Sequence, residues 1–233
     1  MKLSDAQSGK SPMAVLFLVV LVDMLGFTIV IPFLTYFIQD LASGQGITDV
    51  GNRDFWVGVV IAVYSLAQFL FTPVLGSMSD RIGRRPILMF GLISNSVFFI
   101  VFGLSNSLEM AIAARFLAGA GNGNIAVARA YIGDISESGM VARRMGMIGA
   151  AFGLGFMIGP FIGGILSDPA SGIGGPFDTA VWSSHEYLLP CLFSSMLSLL
   201  SLTLAYFWLE ESLPPVSYTH LRAHETDSYL VCR

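Results

Sequence analysis

Six long apolar runs, separated by short polar segments, organise this chain. They lie at about Pro12 to Ile38, Phe55 to Leu75, Ile87 to Leu104, Leu108 to Gly133, Gly146 to Leu166 and Tyr187 to Leu209. A helix needs about 20 predominantly apolar residues to cross a hydrocarbon layer roughly 30 Å thick, so the pattern predicts six transmembrane helices. The first run is too long for a signal-peptide core and no small-residue cleavage site follows it, which predicts an uncleaved first span. The fourth is the weakest because it holds Arg115, Asn122, Asn124 and Arg129. Without it, however, the polar segments on either side would fall on the wrong faces of the membrane.

Within the fifth run the segment from Met147 to Gly164 reads MIGAAFGLGFMIGPFIGG. Glycine costs a helix about 1 kcal/mol against alanine and interior proline about 3, so this composition does not suit a soluble core helix. In a bilayer both are tolerated, and Gly155, Gly159 and Gly163, four apart, strip side chains from one stripe so that a neighbouring helix can approach closely.

Composition removes the soluble alternative: 54% of the 233 residues are hydrophobic and only 12% are charged, about half the usual charge density. The net charge of −4 says little, because in a membrane protein the placement of Lys and Arg sets orientation. With the N-terminus in the cytoplasm, the inner segments hold Lys2, Lys10, Arg81, Arg84, Arg85, Arg143 and Arg144, with Arg129 near a helix end. The outer segments hold Arg53 and five aspartates, Asp40, Asp49, Asp54, Asp168 and Asp178. That asymmetry predicts a multi-pass protein with a cytoplasmic N-terminus. Cys191 and Cys232 offer no disulfide framework.

The segment after the second span reads GSMSDRIGRRP from Gly76 to Pro86. A basic inner loop can simply fix orientation, but the spacing is more specific. Gly76, Asp80, Arg81, Gly83, Arg84 and Arg85 match G-x3-D-[RK]-x-G-[RK]-[RK], and here the chain resembles the major facilitator superfamily. Physically, Gly76 would let two helices cross closely, Asp80 could accept from amides at another helix's N-terminus, and Arg84 could bridge Asp80 to a second carboxylate, Asp134 being best placed. The resemblance implies that the helix capped by Asp80 lies in the second half of the fold, and that these charges form a latch that transport breaks.

A similar family pattern, R-x3-G in the fourth span, is met by Arg115 and Gly119. Arg115, Asn122 and Arg129 are seven apart, so a continuous helix would carry them as one polar stripe. An arginine inside a span marks a functional site by default, although Arg129 and even Arg115 can instead snorkel to the interface. The expected partner of Arg115 is Asp23, the carboxylate within the first span, which becomes a candidate for exchanging a proton. A static pair orienting two helices is the alternative. In the superfamily's three-helix repeats the first and fourth spans are equivalent, and sites lie at the repeat interface.

The fifth-span glycines complete the likeness. Gly146, Gly155, Gly159, Pro160, Gly163 and Gly164 stand at the spacing of the drug:proton antiporters of the superfamily, and with AYIGDI from Ala130 to Ile135 the resemblance is closest to tetracycline-efflux-like proteins. It implies an all-α membrane protein with six helices forming one half of a twelve-helix fold, built as a 3+3 inverted repeat. It also implies proton-coupled efflux of small organic solutes by alternating access, with membrane lipid, protons, a small-molecule substrate and a second six-helix half as partners. A facilitator or symporter of the same superfamily, or a scaffold that kept the fold, is the alternative.

His185–Glu186 and His224–Glu225 lack the second histidine of a metalloprotease, and no phosphate-cradling glycine loop is present. No enzyme activity, cofactor, metal or nucleic acid is therefore expected. Gln68 and Asn95 read as helix–helix hydrogen bonders. The organisation expected is residues 1–11 as a cytoplasmic N-terminus, 12–215 as the bundle and 216–233, VSYTHLRAHETDSYLVCR, as a tail without apolar period. That tail resembles translated adapter sequence, which would make the chain a fragment; a disordered cytoplasmic tail is the other reading.

Overall fold

The structure, a computed structural model, describes residues 12–137, 139–167 and 187–213. Lys2, Lys10, Asp168, Asp178, His185, Glu186 and the segment from Val216 onward, all used above, lie outside the described residues. The rest is helical: α1 (Pro12–Ile29), α2 (Ile31–Gly44), α3 (Val50–Ile82), α4 (Arg84–Gly103), α5 (Leu108–Gly121), α6 (Asn124–Ile135), α7 (Val141–Leu166) and α8 (Leu188–Trp208).

These eight helices make six spans. Four are single helices, α3, α4, α7 and α8. The first is α1 followed directly by α2 through Val30, which keeps helical backbone angles, with Pro32 in the opening turn of α2, where a missing N–H is harmless. The fourth is α5 followed by α6, interrupted at Asn122–Gly123. Five spans are long and apolar enough to cross a membrane on their own. The fourth crosses as two helices of 14 and 12 residues, each too short to span alone.

Spans alternate direction. Arg84, Asp134 and Glu211, from the starts or ends of α4, α6 and α8, meet at one end of the bundle. At the other end Gln39 donates to Asp54, Gln45 to Glu109 and Tyr187 to Asp40.

The core has three layers along the spans. One apolar cluster runs from Met13 to Met24 on α1, Ile87 to Leu92 on α4 and Leu204 to Leu209 by α8. A second holds Val30 to Ala42, Phe99 and Phe102, and Cys191. Between them the same helices bury polar groups: Asp23 and Thr28, then Ser94, Asn95 and Ser96, then Ser194, Ser195 and Ser198. Polar residues at mid-membrane depth are tolerated only where they face protein or a cavity.

The helices pack through small residues. A Cβ at Gly155 would lie 2.8 Å from that of Met24, one at Gly159 would fall on Thr28 Oγ1, and one at Gly163 on the Ile29 carbonyl. So α7 lies directly against α1. Thr28 Oγ1 fills the space at Gly159 and donates to the carbonyls of Met24 and Gly155, both at 2.8 Å. On α8, Cys191, Ser194, Ser198, Ser201 and Ala205 form a buried small-residue stripe; Ser201 donates to the Val19 carbonyl at 3.1 Å and Ser195 shares a 2.8 Å bond with Ser96 of α4.

Candidate functional site

At the end of the bundle where α3 passes into α4, Gly83 takes φ 117°, a backbone region open mainly to glycine. The turn brings Arg84 back over α3. Its Nη1 lies 2.5 Å from Asp80 Oδ1 and 2.7 Å from Ser79 Oγ, and its Nε 2.9 Å from Asp134 Oδ2. One planar fork therefore ties α3, α4 and α6.

Glu211, just beyond α8, completes this cluster. Its carboxylate accepts from the backbone N–H of Arg84 at 2.8 Å and of Arg85 at 3.1 Å, the two donors at the start of α4 that have no intrahelical partner. Ser212 Oγ donates to Asp134 at 3.1 Å, and an Arg85 nitrogen donates to the Tyr206 carbonyl. Within this bundle the carboxylate seated on the α4 N-terminus is Glu211, while Asp80 is exposed apart from its pair with Arg84. Arg81 is also exposed. Among the described residues nothing lies within 4 Å of a Cβ built at Gly76, so no close crossing forms there within this bundle. Buried Ser79, one turn on, is the small residue at the packed face.

Mid-bundle, the expected pair of Asp23 and Arg115 does not form. Asp23 is 2% exposed, and its oxygens accept from Asn95 Nδ2 at 3.0 Å and Asn124 Nδ2 at 3.1 Å. The reason lies in the fourth span. Glycines at 119, 121 and 123 admit the Tyr64 carbonyl, Ser94 and Leu75 against the backbone, and the helix breaks between them. A continuous stripe of Arg115, Asn122 and Arg129 is lost with it. Asn124 now starts a new helix facing Asp23, Arg129 is exposed, and Asn122 ends α5. The break frees the Asn122 carbonyl, which accepts from Gln68 Nε2 at 3.3 Å, as irregular backbone at this depth requires. Asn122 Nδ2 donates to the Tyr64 hydroxyl at 2.6 Å.

Arg115 remains on the other side of the break. It is 4% exposed and its guanidinium stacks 3.8 Å from the centre of the Phe102 ring. Its Nε and Nη2 have no hydrogen-bond partner, and both ion pairs among the described residues belong to Arg84. Arg115 lines a cavity of about 420 Å³ between α1, α2, α3, α5 and α7, walled mainly by apolar and aromatic side chains such as Phe27, Ile61, Tyr64 and Phe156. A second cavity of about 240 Å³ runs beside the break, past Asn122, Gly123 and Arg129. Gln68 borders both, and Asp23 lines neither.

Of the six residues in the glycine signature, Gly155, Gly159 and Gly163 pack against α1, while Gly146 and Gly164 meet nothing within 4 Å among the described residues. Helical geometry explains this: nine residues place Gly146 on the opposite side from Gly155, and Gly164 sits about 100° off the stripe. Pro160 is accommodated within an unbroken α7.

Gln68 and Asn95 are helix–helix hydrogen bonders, as expected, but sequence reasoning missed Glu211, Asn124 as a partner of Asp23, and Tyr64. A Glu just past a span, in WLEES, and amides at one depth in spans three and four were the available signals.

Comparison with known proteins agrees with this architecture. The pattern of the Major Facilitator Superfamily matches residues 16–224. The chain is 34% identical over 191 residues to Protein ZINC INDUCED FACILITATOR 1 of Arabidopsis thaliana, covering 82% of this chain and 39% of that protein. It is 36% identical over 173 residues to the class C tetracycline resistance protein of Escherichia coli, covering 74% and 42%. Among solved structures it superposes on the human organic anion transporter MFSD10 with TM-score 0.69 at 24% identity, covering 89% and 49%. On a D-xylose-proton symporter the TM-score is 0.70 at 14% identity, covering 86% and 48%. The chain thus spans about two fifths of the curated relatives and about half of the solved chains. Six spans, the bridged arginine at the turn between the second and third, and these matches together identify a multi-pass membrane protein of the major facilitator superfamily, comprising the N-terminal half of its fold.

Proposed function

We propose that this bundle is one wall of a proton-coupled secondary transporter that exports small organic solutes by alternating access. The carrying observation is the separation of two buried groups: Arg115 on a solute-sized cavity, and Asp23 held by neutral amides a helix break away. A carboxylate whose partners are uncharged can take and lose a proton without stranding an opposite charge. Export, rather than import, is supported by the tetracycline resistance proteins among the relatives and by the fifth-span glycine pattern. The symporter superposition, at 14% identity, speaks to fold alone.

The second wall is a further six-helix bundle. α3 and α7 present Phe69, Val74, Met157 and Phe161 outward, an apolar face for lipid and for that partner. The Arg84 cluster then acts as a latch on the cytoplasmic side, with Gly76, Asp80, Arg81, Gly83, Arg85 and Asp134 in its loop. The N-terminus lies in the cytoplasm.

Solute flux in proteoliposomes holding the full-length protein, with and without an imposed proton gradient, tests this. Gradient-driven flux that Asp23→Asn abolishes is expected. Gradient-driven flux left intact by that substitution would remove Asp23 from the mechanism, and flux indifferent to the gradient would overturn proton coupling.

A further inference from the structure

We propose that the cavity bordered by Arg115 binds organic anions: molecules with a carboxylate or similar oxyanion on an aromatic or aliphatic body. The inference rests on reading this cavity as the transport pathway and deepens it by naming the solute class.

Charge comes first. Of the residues lining the 420 Å³ cavity, Arg115 alone carries a formal charge. Asp23, the carboxylate inside the first span, is occupied by Asn95 and Asn124 instead. A buried guanidinium without an acceptor is strongly disfavoured unless something supplies one.

Geometry comes second. Nε and Nη2, the two nitrogens without partners, form one edge of the guanidinium fork. That edge matches the two oxygens of a carboxylate in a bidentate pair. The stacking on Phe102 fixes the plane of the group. Tyr64, on the same cavity wall, accepts from Asn122 and so keeps its own hydroxyl proton to donate.

The remaining wall fits the body of such a molecule. Phe27, Val30, Ile31, Leu34 and Phe156 offer apolar and aromatic surface, and the volume falls within the roughly 300–1,000 Å³ of small-molecule sites. A cation of the same shape would meet an unbalanced positive charge there.

The test uses 2-naphthoate, its neutral amide and 2-naphthylmethylammonium, each measured by equilibrium binding to the chain in lipid nanodiscs. Saturable binding of naphthoate is expected, with the amide much weaker and the ammonium absent. Arg115→Gln should weaken naphthoate about 10-fold or more, the effect of losing a charge-assisted bidentate pair, and leave the amide unchanged; Arg115→Lys should retain part of the affinity. In a C191A/C232A background, naphthoate should protect Ser65→Cys on the cavity wall from a water-soluble thiol reagent, a readout that a purely structural arginine would not move. Equal binding of acid and amide, unaltered binding by Arg115→Gln in protein that melts like the parent, or no saturable naphthoate binding would each overturn the proposal. Lost naphthoate binding with proton-driven flux intact removes this inference alone; retained binding without flux removes the transport reading alone.

Discussion

Replacing Gly159 by alanine adds a single methyl group at the tightest point between α1 and α7. That methyl would occupy the position of Thr28 Oγ1 and lie 2.7 Å from Thr28 Cβ. Two responses are open. Thr28 can rotate and lose its 2.8 Å bond to the Gly155 carbonyl, which costs about 0.5–1.5 kcal/mol, or the helices can separate, with an overpacking cost of about 1–3 kcal/mol. Alanine returns up to about 1 kcal/mol of helix propensity, so the net loss is about 0–2 kcal/mol. Gly153, on the same helix with nothing within 4 Å, supplies the matched control: alanine there gains up to about 1 kcal/mol without a clash. The propensity gain is common to both, so the pair should differ by the clash alone, about 0.5–3 kcal/mol, or about 1–12 °C in melting temperature for a chain of this size. Thermal unfolding of the detergent-solubilised chain, read by size-exclusion of a fluorescent fusion, measures it. Equal melting of Gly153→Ala and Gly159→Ala would refute the assignment of the contact face.

Other expectations follow from the same geometry. Glu211→Gln removes the charge from the start of α4 and should cost about 1 kcal/mol in the melting experiment, whereas Glu210→Gln, exposed beside it, should fall within about 0.5 kcal/mol. Thr28→Val keeps the shape but deletes the donor to Met24 and Gly155, and should cost about 1 kcal/mol. Arg84→Lys cannot span Asp80 and Asp134 with one planar fork; raised thiol labelling of Ser79→Cys in that background, absent with Arg84 intact, checks whether the turn loosens.

How much of this could be read from the chain differs by residue. The six spans were legible because burial in lipid demands long apolar runs, and the Asp80–Arg84–Asp134 cluster because a planar donor fork between two carboxylates is a local problem. The break in the fourth span was not. Gly-Asn-Gly at Gly121 to Gly123 is compatible with a helix in lipid, and only the approach of Ser94 and Leu75 decides against it. Once the helix breaks, seven-residue spacing no longer keeps side chains on one face, so the stripe and the Asp23–Arg115 pair fail together. Gly155, Gly159 and Gly163 were legible as a packing stripe, but that their partner is α1 was not, since any helix with room for it would satisfy the pattern.

The same break gives one span two separate duties. Before it, Arg115 borders the larger cavity; after it, Asn124 holds Asp23. Asn122 sits between and touches both sides of the wall, through its side chain to Tyr64 and its carbonyl to Gln68. The fourth span is interrupted while the first runs on through Val30; the two are the equivalent members of the three-helix repeats, and discontinuous helices place sites in transporters of this kind. If solute and proton communicate across this point, Asn122→Ala, which deletes the Tyr64 contact but leaves the carbonyl to Gln68, should preserve solute flux down its own gradient. It should also shrink the acceleration that a proton gradient produces in the full-length protein. An acceleration equal to the parent's would show that Asn122 does no more than end a helix.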